Sequence, residues 1–380
     1  MLDQAIFQIS VGGTDVTETF DPILQQLQVE DHSGESTDRA MVTLADVDGA
    51  ILLPSVGDSV NILLGWKIAG GLTQVFDGIV DEVASRGGRG AGRLLVVKAH
   101  GFDTGGKAKE PQQFHKDNAS LQDFLSQAAG NAGLSFQAEG SVGGIQRPYW
   151  VAGTESFIHL GQRIAHEVGA VFKIEGTQAY MWPLNTPLQA AGSGGGNVTA
   201  IWGEGNDTGN LIEWDISPIV GRPQYAQTSA RWFDHTTATW KEVTQSIGGI
   251  GSDYASDYAA THTHRQTRAD AGEATTTAAA NAAISTREAG TGIVTIVGQP
   301  AAFCEGSCTV SGVRAGVDGT YRIAGVRHEL NRSSGFITQL ELKQPGGGAG
   351  TDPRPVVPNL TGPPPIDSVP PAIDPATPPT

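Results

Sequence analysis

The sequence predicts a mainly β chain with α+β insertions, and three observations carry that prediction. Glycine and proline number 51 and 21 of 380 residues, while only 17% of residues are charged. Such a profile suits many short strands joined by tight turns rather than a helical bundle. The apolar runs are of strand length, Val60 to Trp66 being among the longest, and clusters of Gly, Asp, Ser or Pro bound them. Helical periodicity is confined to three stretches, at 120–132, 154–168 and 254–289. The length suffices for two or three cores of ordinary size.

Residues 1–104 read as a first β-domain, a barrel or sandwich. Its strand candidates are Ile6–Val11, Ile23–Asp31, Ala40–Leu44, Ser59–Trp66, Val75–Ala84 and Arg93–His100. The run GGRGAG from Gly87 to Gly92 is a hairpin tip. Closure into a barrel would leave no free strand edge.

Residues 105–189 form an α+β module. From Ser120 to Ala132, the apolar residues Leu121, Phe124, Leu125, Ala128 and Ala129 fall on one helix face, with Asn118 and Ser120 as cap candidates. From Thr154 to Val168 the face is Phe157, Leu160, Ile164, Ala165 and Val168, with Thr154 or Ser156 as cap and Gly169 as the stop. Ala170–Ile174 and Ala179–Trp182 then pair around Glu175 and Gly176.

A flexible Gly/Ser break at 190–197 leads into a second β-domain, 190–249 and 291–345, split by a helical insertion at 250–290. Its strands are Leu211–Ile216, Gln227–Asp234, Thr239–Val243, Ile293–Val297, Cys308–Val313, Gly319–Glu329 and Phe336–Leu342. The insertion is Ala/Thr-rich, so its helix buries a shallow face against a neighbour. Residues 346–380 are Gly- then Pro-rich with no regular pattern, an extended tail that is disordered or polyproline II.

Charge and motifs exclude several function classes. A formal net charge of −16 repels phosphate backbones, and no sequence-specific nucleic-acid partner is expected. No run reaches the roughly 18 apolar residues of a membrane span. Met1–Thr19 carries no basic segment followed by an apolar run, so no signal peptide is expected. The carboxylates Glu18, Asp21, Glu30, Asp31, Asp46, Asp48, Asp77, Asp81 and Glu82 sit in turns or on alternating strand positions, the pattern of a solvated face. A glycosidase would need two of them facing across a cleft. Cys304 and Cys308 lack a second pair at zinc spacing and read as thiols beside a turn, a local disulfide being the alternative. His262 and His264, near Asp253, Asp257 and Asp270, could share a metal only on a strand, and their segment reads as helical or irregular. Neither a catalytic set nor a cofactor or metal site is expected.

The most informative stretch is GVDGTYRIAGVRHELNRSSGF, from Gly316 to Phe336. Asp318 and Gly319 mark a tight turn, Tyr321, Ile323 and Val326 suit a half-buried strand, and His328 alternates with Arg327. This wording closely resembles the C-terminal hairpin of the phage late control gene D protein family, the hub of contractile-tail baseplates. The front stretch LQVEDHSGESTDRAMVTLADVDGAILLPSVGDSVNILLGW resembles the family's first barrel through Asp31, Gly34, Asp38, Leu44, Asp48, Gly49, Pro54, Gly57 and Gly65. In the middle, Glu155 and Ser156 begin a helix and Gly169 and Ala170 end it, as in the family. RPQYAQTSARWFDHTTATW is similar to the strand and turn that follow. Cys304, Cys308 and so long a Pro-rich tail are not part of the pattern.

The resemblance implies two tube-protein-like β-barrels per chain, plus the helical module. It implies a structural, non-enzymatic homotrimer, a pseudo-sixfold ring around a central channel that adapts a sixfold tail tube to a threefold spike. The implied partners are the tail spike (central puncturing) protein, the tail tube or tube-initiator protein, baseplate wedge proteins and the tape-measure protein. The implied location is the virion's tail baseplate, after assembly in the host cytoplasm. Two alternatives stand beside it: a cell-wall hydrolase, or hub with embedded lytic activity, and the hub module of a type VI secretion spike.

Overall fold

The computed structural model describes residues 3–34, 37–89, 92–103, 105–186, 196–203, 209–220, 225–247 and 260–354. Asp253, Asp257, most of the Gly/Ser break and the Pro-rich tail beyond 354 lie outside the described residues. The chain is mainly β.

The first β-unit holds β1 (Ala5–Val11), β2 (Thr14–Asp15), the one-turn α1 (Thr17–Phe20), β3 (Leu24–His32), β4 (Arg39–Ala45), β5 (Ser59–Trp66), β6 (Gly71–Gly88) and β7 (Gly92–His100). Alternation along β3, β4 and β5 turns Leu27, Leu44, Ile62 and Leu64 inward, all fully buried in one cluster. Gly65 is required by close approach. A Cβ there would stand 1.7 Å from the Gly71 carbonyl oxygen across the β5–β6 hairpin.

The module holds β8 (Pro111–Ser120), α2 (Leu121–Asn131), β9 (Ser135–Ala138), β10 (Gln146–Ser156), α3 (Phe157–Val168), β11 (Ala170–Glu175) and β12 (Gln178–Pro183). Ser120 caps α2, its side chain accepting from the Asp123 N–H, and Ser156 caps α3 by accepting from His159 N–H. Thr154 is not the start of α3. It sits at φ +60 beside a bulge in β10, which keeps Glu155 and Ser156 extended and paired with β8.

The second unit holds β13 (Asn197–Ile201), β14 (Leu211–Ser217), β15 (Gln227–Asp234), β16 (Thr239–Ser246), β17 (Thr261–Thr263), α4 (Ala271–Arg287), β18 (Thr291–Val297), β19 (Ser307–Ser311), β20 (Gly319–Asn331) and β21 (Gly335–Gly346). β15 and β16 leave the main sheet and form a separate one with β17. Helix α4 lays Ala274 and Ala278 on it, against Ala230. The excursion between β14 and β18 therefore starts ahead of 250; residues 248–259 lie outside the described residues, and after β17 the helix spans Ala271–Arg287.

The two units repeat one arrangement. Strands pair in the order β3-β4-β7-β6-β5 in the first and β14-β18-β21-β20-β19 in the second. Chain order maps each onto its counterpart. The registers agree as well. The β6–β7 hairpin runs from Glu82 opposite Lys98 to Gly88 opposite Gly92, after a break between Val80 and Glu82. The β20–β21 hairpin runs from Gly325 opposite Glu341 to Asn331 opposite Gly335, after a break between Ile323 and Gly325. β3–β4 breaks between Leu24 and Gln26, and β14–β18 between Leu211 and Glu213. The outer strands differ, β1 running antiparallel to β5 and β13 parallel to β19.

A seam joins the units. The C-terminal half of β20 pairs antiparallel with β3, from Gly325 opposite His32 to Asn331 opposite Gln26, giving one 13-stranded sheet. The edge-free closure expected of the first domain gives way to this seam, since β3 offers its second edge to β20. The terminal hairpin consequently serves two cores. Leu330 and Phe336 enter the first, while Tyr321, Ile323 and Leu340 enter the second.

Candidate functional site

The site is the place where the seam, the module and α4 meet, together with the surfaces it holds in position. Lys173 lies in β11 within the apolar run AVFKIE and is buried. Its Nζ stands 2.5 Å from Asp31 Oδ1 and 2.6 Å from Asp38 Oδ1. Asp31 also accepts from the Cys304 backbone N–H at 2.9 Å. Burial would raise Asp31, but the Lys173 charge and that N–H override it and hold the carboxyl below its usual range. Asp38 lacks the backbone donor. Burial, aided by the Asp31 charge, outweighs Lys173 there and pushes Asp38 up. One ammonium thus ties the module to the first unit through two acids.

Cys304 Sγ lies 3.1 Å from the Asp31 carbonyl oxygen and 3.2 Å from that of Ala324. Both cysteines are free and buried. Burial pushes the Cys304 thiol well up and Cys308 to about 12, so neither is a reactive thiolate. The local disulfide weighed from the sequence is not formed.

Glu305 ties the second unit to the same place. Its φ is +64, at the position where the first unit has Gly57 with φ +93. The hydrogen bonds coincide. Gly57 N–H donates to the Val80 carbonyl and Val80 N–H to that of Asp58, while Glu305 N–H donates to Ile323 and Ile323 N–H to Gly306. A left-handed glutamate costs about 1–2 kcal/mol, and its side chain accounts for keeping it. The fully buried carboxylate accepts from Ser33 Oγ at 2.5 Å, from Asn185 N–H at 3.0 Å and from Arg287 Nη1 at 2.9 Å. Segments of both β-units, the module and α4 are joined by one acid.

A second network holds the module against α4. Arg163 forks onto Glu155, at 3.0 Å from Nε and 2.6 Å from Nη2, and reaches Glu167 at 2.9 Å. Burial would raise Glu155, and the Arg163 fork holds it low instead. Arg147 bridges Glu167 at 3.0 Å and Glu273 of α4 at 3.2 Å, over the Trp150 ring. Gly169 ends α3 at φ +68, and a Cβ there would meet Ala280 of α4 at 3.0 Å.

The residues singled out from the sequence sit at separate turns rather than in one cluster. Asp48 and Gly49 form the turn after β4, where Gly49 takes φ +68 and donates to the Asp46 carbonyl at 3.2 Å. Pro54 and Gly57 belong to the β4–β5 loop. Glu155, Ser156 and Gly169 bound α3. Gly316, at φ +85, and Gly312, at φ +82, both take positive φ in the β19–β20 connection. Asp318 accepts from the N–H groups of Gly312, Val313 and Arg314. Gly319 is needed for space, since a Cβ would meet the Gly346 carbonyl oxygen at 2.5 Å. Tyr321 is buried and donates to the Val317 carbonyl at 2.6 Å.

His328 faces the core. Its Nδ1 lies 3.0 Å from Thr338 Oγ1, and burial depresses its pKa to about 4. An unfolded histidine takes its proton near 6.5, so the unfolded chain binds more protons between those values. The His328 contribution to stability is therefore complete above about pH 6.5 and is lost towards pH 4, by at most about 3 kcal/mol. Asp38, raised by burial, gives the opposite trend in this window but is common to both chains. In urea unfolding, the midpoint of the native chain is therefore expected to lose ground against that of His328→Gln between pH 7 and pH 5. Equal changes in the two chains would refute this assignment.

His262 lies on β17, a strand, where its segment was expected to be helical or irregular. Its ring is tilted against that of Tyr225, centroids 5.3 Å apart, while His264 meets Arg268 and Asn281. Burial and the Arg268 charge lower the His264 pKa. Among the described residues, no three His, Cys, Asp or Glu side chains stand together as a metal site. Lys173, Asp38, Arg287 and Glu305 were not singled out for chemistry. The available signal was a lysine inside an apolar strand run.

Apolar side chains reach solvent on the β4–β5 loop, where Val47 is 74%, Leu52 91% and Val56 70% exposed. They lie on the loop whose turns Gly49 and Gly57 make. On the far edge of the sheet, Ile212, beside Trp214 of β14, is half exposed.

No protein-family model matches the chain. In sequence it is 24% identical, over 232 residues, to a probable baseplate hub protein of Escherichia phage P2, covering 60% of this chain and 56% of that protein. The chain thus spans little more than half the length of this curated relative. In fold it is similar to a tail protein from Neisseria meningitidis MC58, with a TM-score of 0.64 at 14% identity over 91% of this chain and 98% of that one. It is equally similar to the 43 kDa tail protein of prophage MuSo2 from Shewanella oneidensis, with a TM-score of 0.63 at 12% identity over 89% and 98%. The fold is that of phage tail proteins. The sequence relative is a baseplate hub protein, which is the kinship the terminal hairpin and the turn motifs pointed to.

Proposed function

We propose that the chain is the structural hub subunit of a contractile phage tail baseplate, working as a homotrimer around a central channel. One observation carries the reading: each chain holds two β-units with the same strand order and two register breaks at equivalent places, joined edge to edge. Three such chains supply six like units, so a threefold assembly can present sixfold contacts on one side and threefold contacts on the other. The sixfold side would meet the tail tube or tube initiator, and the threefold side the central spike. Baseplate wedge proteins and the tape-measure protein are the further partners, and the assembly would form in the host cytoplasm. The role is mechanical rather than catalytic. The pair of carboxylates brought together, Asp31 and Asp38, is largely buried and neutralised by Lys173 instead of lining a cleft.

Mass measurement of the purified full chain in solution, with and without its spike protein, tests the proposal. A mass of three chains is expected. A particle that stays monomeric in both conditions would count against it.

A further inference from the structure

The seam inside the chain is a template for a contact between chains. β20 divides one side between two neighbours, its N-terminal part pairing with β19 and its C-terminal part with β3. Its counterpart β6 pairs on that side with β5 only as far as Ile79 opposite Ser59. From Glu82 to Gly88, that side of β6 has no strand partner among the described residues. β14, the counterpart of β3, pairs among them with β18 alone. One edge of each kind that joins at the seam is therefore left over, and the two stand at separate places along the sheet order.

We propose that the free edge of β6, from Ala84 to Gly88, pairs antiparallel with β14 of a second copy of this chain, repeating the seam. The proposal deepens the trimeric reading and rests on it. The internal repeat also sets the register. Residues 325–331 of β20 correspond to 82–88 of β6 through their hairpins. Residues 26–30 of β3 correspond to 213–217 of β14 through their pairing with β4 and β18. The seam places Glu329 opposite Gln28 and Leu330 opposite Leu27. Carried over, Arg86 stands opposite the partner's Asp215, and Gly87 opposite the partner's Trp214.

Both pairs are complementary. Arg86 and Asp215 are exposed on their own edges, and opposite charges directly across a strand pair attract. Gly87 has no side chain, which leaves room beside the bulky indole of the partner's Trp214. Each copy offers one β6 edge and one β14 edge, so the contact is head-to-tail and propagates round a ring until it closes. Pairing also covers strand edges that would otherwise recruit foreign chains.

Cysteine cross-linking of the full chain reads the register directly. The double variant Arg86→Cys, Asp215→Cys is expected to give, on mild oxidation, covalent dimers and then trimers. The native Cys304 and Cys308 are buried and do not compete. Shifting one partner to Gly87→Cys with Asp215→Cys should cut the yield about tenfold, because facing cysteines must satisfy a narrow geometry. Independently of oxidation, Arg86→Asp should weaken self-association by about threefold to tenfold, and Arg86→Asp with Asp215→Arg should recover it. A chain that is trimeric by mass, yet cross-links no better at 86/215 than at 87/215, overturns the edge pairing and leaves the hub reading standing. A chain that neither cross-links nor exceeds one subunit in mass overturns both.

Discussion

Lys173→Met is expected to destabilise the fold by about 3–5 kcal/mol at pH 7, the usual cost of removing one partner from a buried ion cluster. The volume is nearly kept, so the loss comes from charge rather than packing. Asp31 and Asp38, which each stand within 2.6 Å of Nζ, would face each other with no cation between them. The pH dependence separates this cause from a generic packing defect. In the native chain Lys173 and the Cys304 N–H hold Asp31 low, against burial. Without the ammonium, burial and Asp38 raise it above its unfolded value, so the folded variant binds the extra proton. Its stability then rises as pH falls through that raised value towards about 4. The His328 contribution runs the other way, but it is common to both chains and cancels in the difference. Urea midpoints for the two proteins at pH 7 and pH 5 should therefore show the gap narrowing on acidification. A gap that is constant, or wider at pH 5, would mean that the triad is not what the substitution disturbs.

Glu305→Ala should cost a similar amount, about 3–5 kcal/mol, because it leaves Arg287 buried with its partner gone. The Asn185 N–H and the Ser33 hydroxyl lose their acceptor at the same stroke. Glu305→Gly provides the internal control. It removes the same carboxylate but relieves the left-handed backbone, so it should be about 1 kcal/mol less damaging than alanine. The expected order of thermal midpoints is native, then glycine, then alanine. A glycine variant as stable as the native chain would show that the contacts of the acid do no more than offset the backbone strain.

Much of the scaffold was legible because each signal was local. The strand from Ser59 to Trp66 ends where its bounding turns put it, and Ser120, Ser156 and Gly169 cap the helices they precede or follow. Where the reading slipped, non-local pairing had overridden composition. β8, PQQFHKDNAS, has no clean alternation and is a strand because β10 lies along it. In the Ala/Thr-rich stretch that looked helical, Thr261–Thr263 instead pairs with β15. Helix α4 begins after the cap at Asp270, whose side chain accepts from the Glu273 N–H. That capping box was present in the sequence as Asp270 and Glu273 three residues apart. The buried charges were harder to read. Lys173 finds Asp31 across 142 residues of chain and Arg287 reaches back to Asn185 across 102, and no window of sequence contains both ends. The repeat of the two units was hidden for another reason. It resides in backbone register, while the side chains have diverged as far as a glycine in one unit and a buried glutamate in the other.

That single divergence has an architectural result. Two interchangeable building blocks would give an assembling ring no means of telling its positions apart. Only the block bearing the acid can grip Arg287 and Asn185, since Gly57 at the equivalent place on its twin has no side chain to do so. A circle of such blocks would alternate between the two kinds, and its rotational order would be half of what the main chain alone would allow.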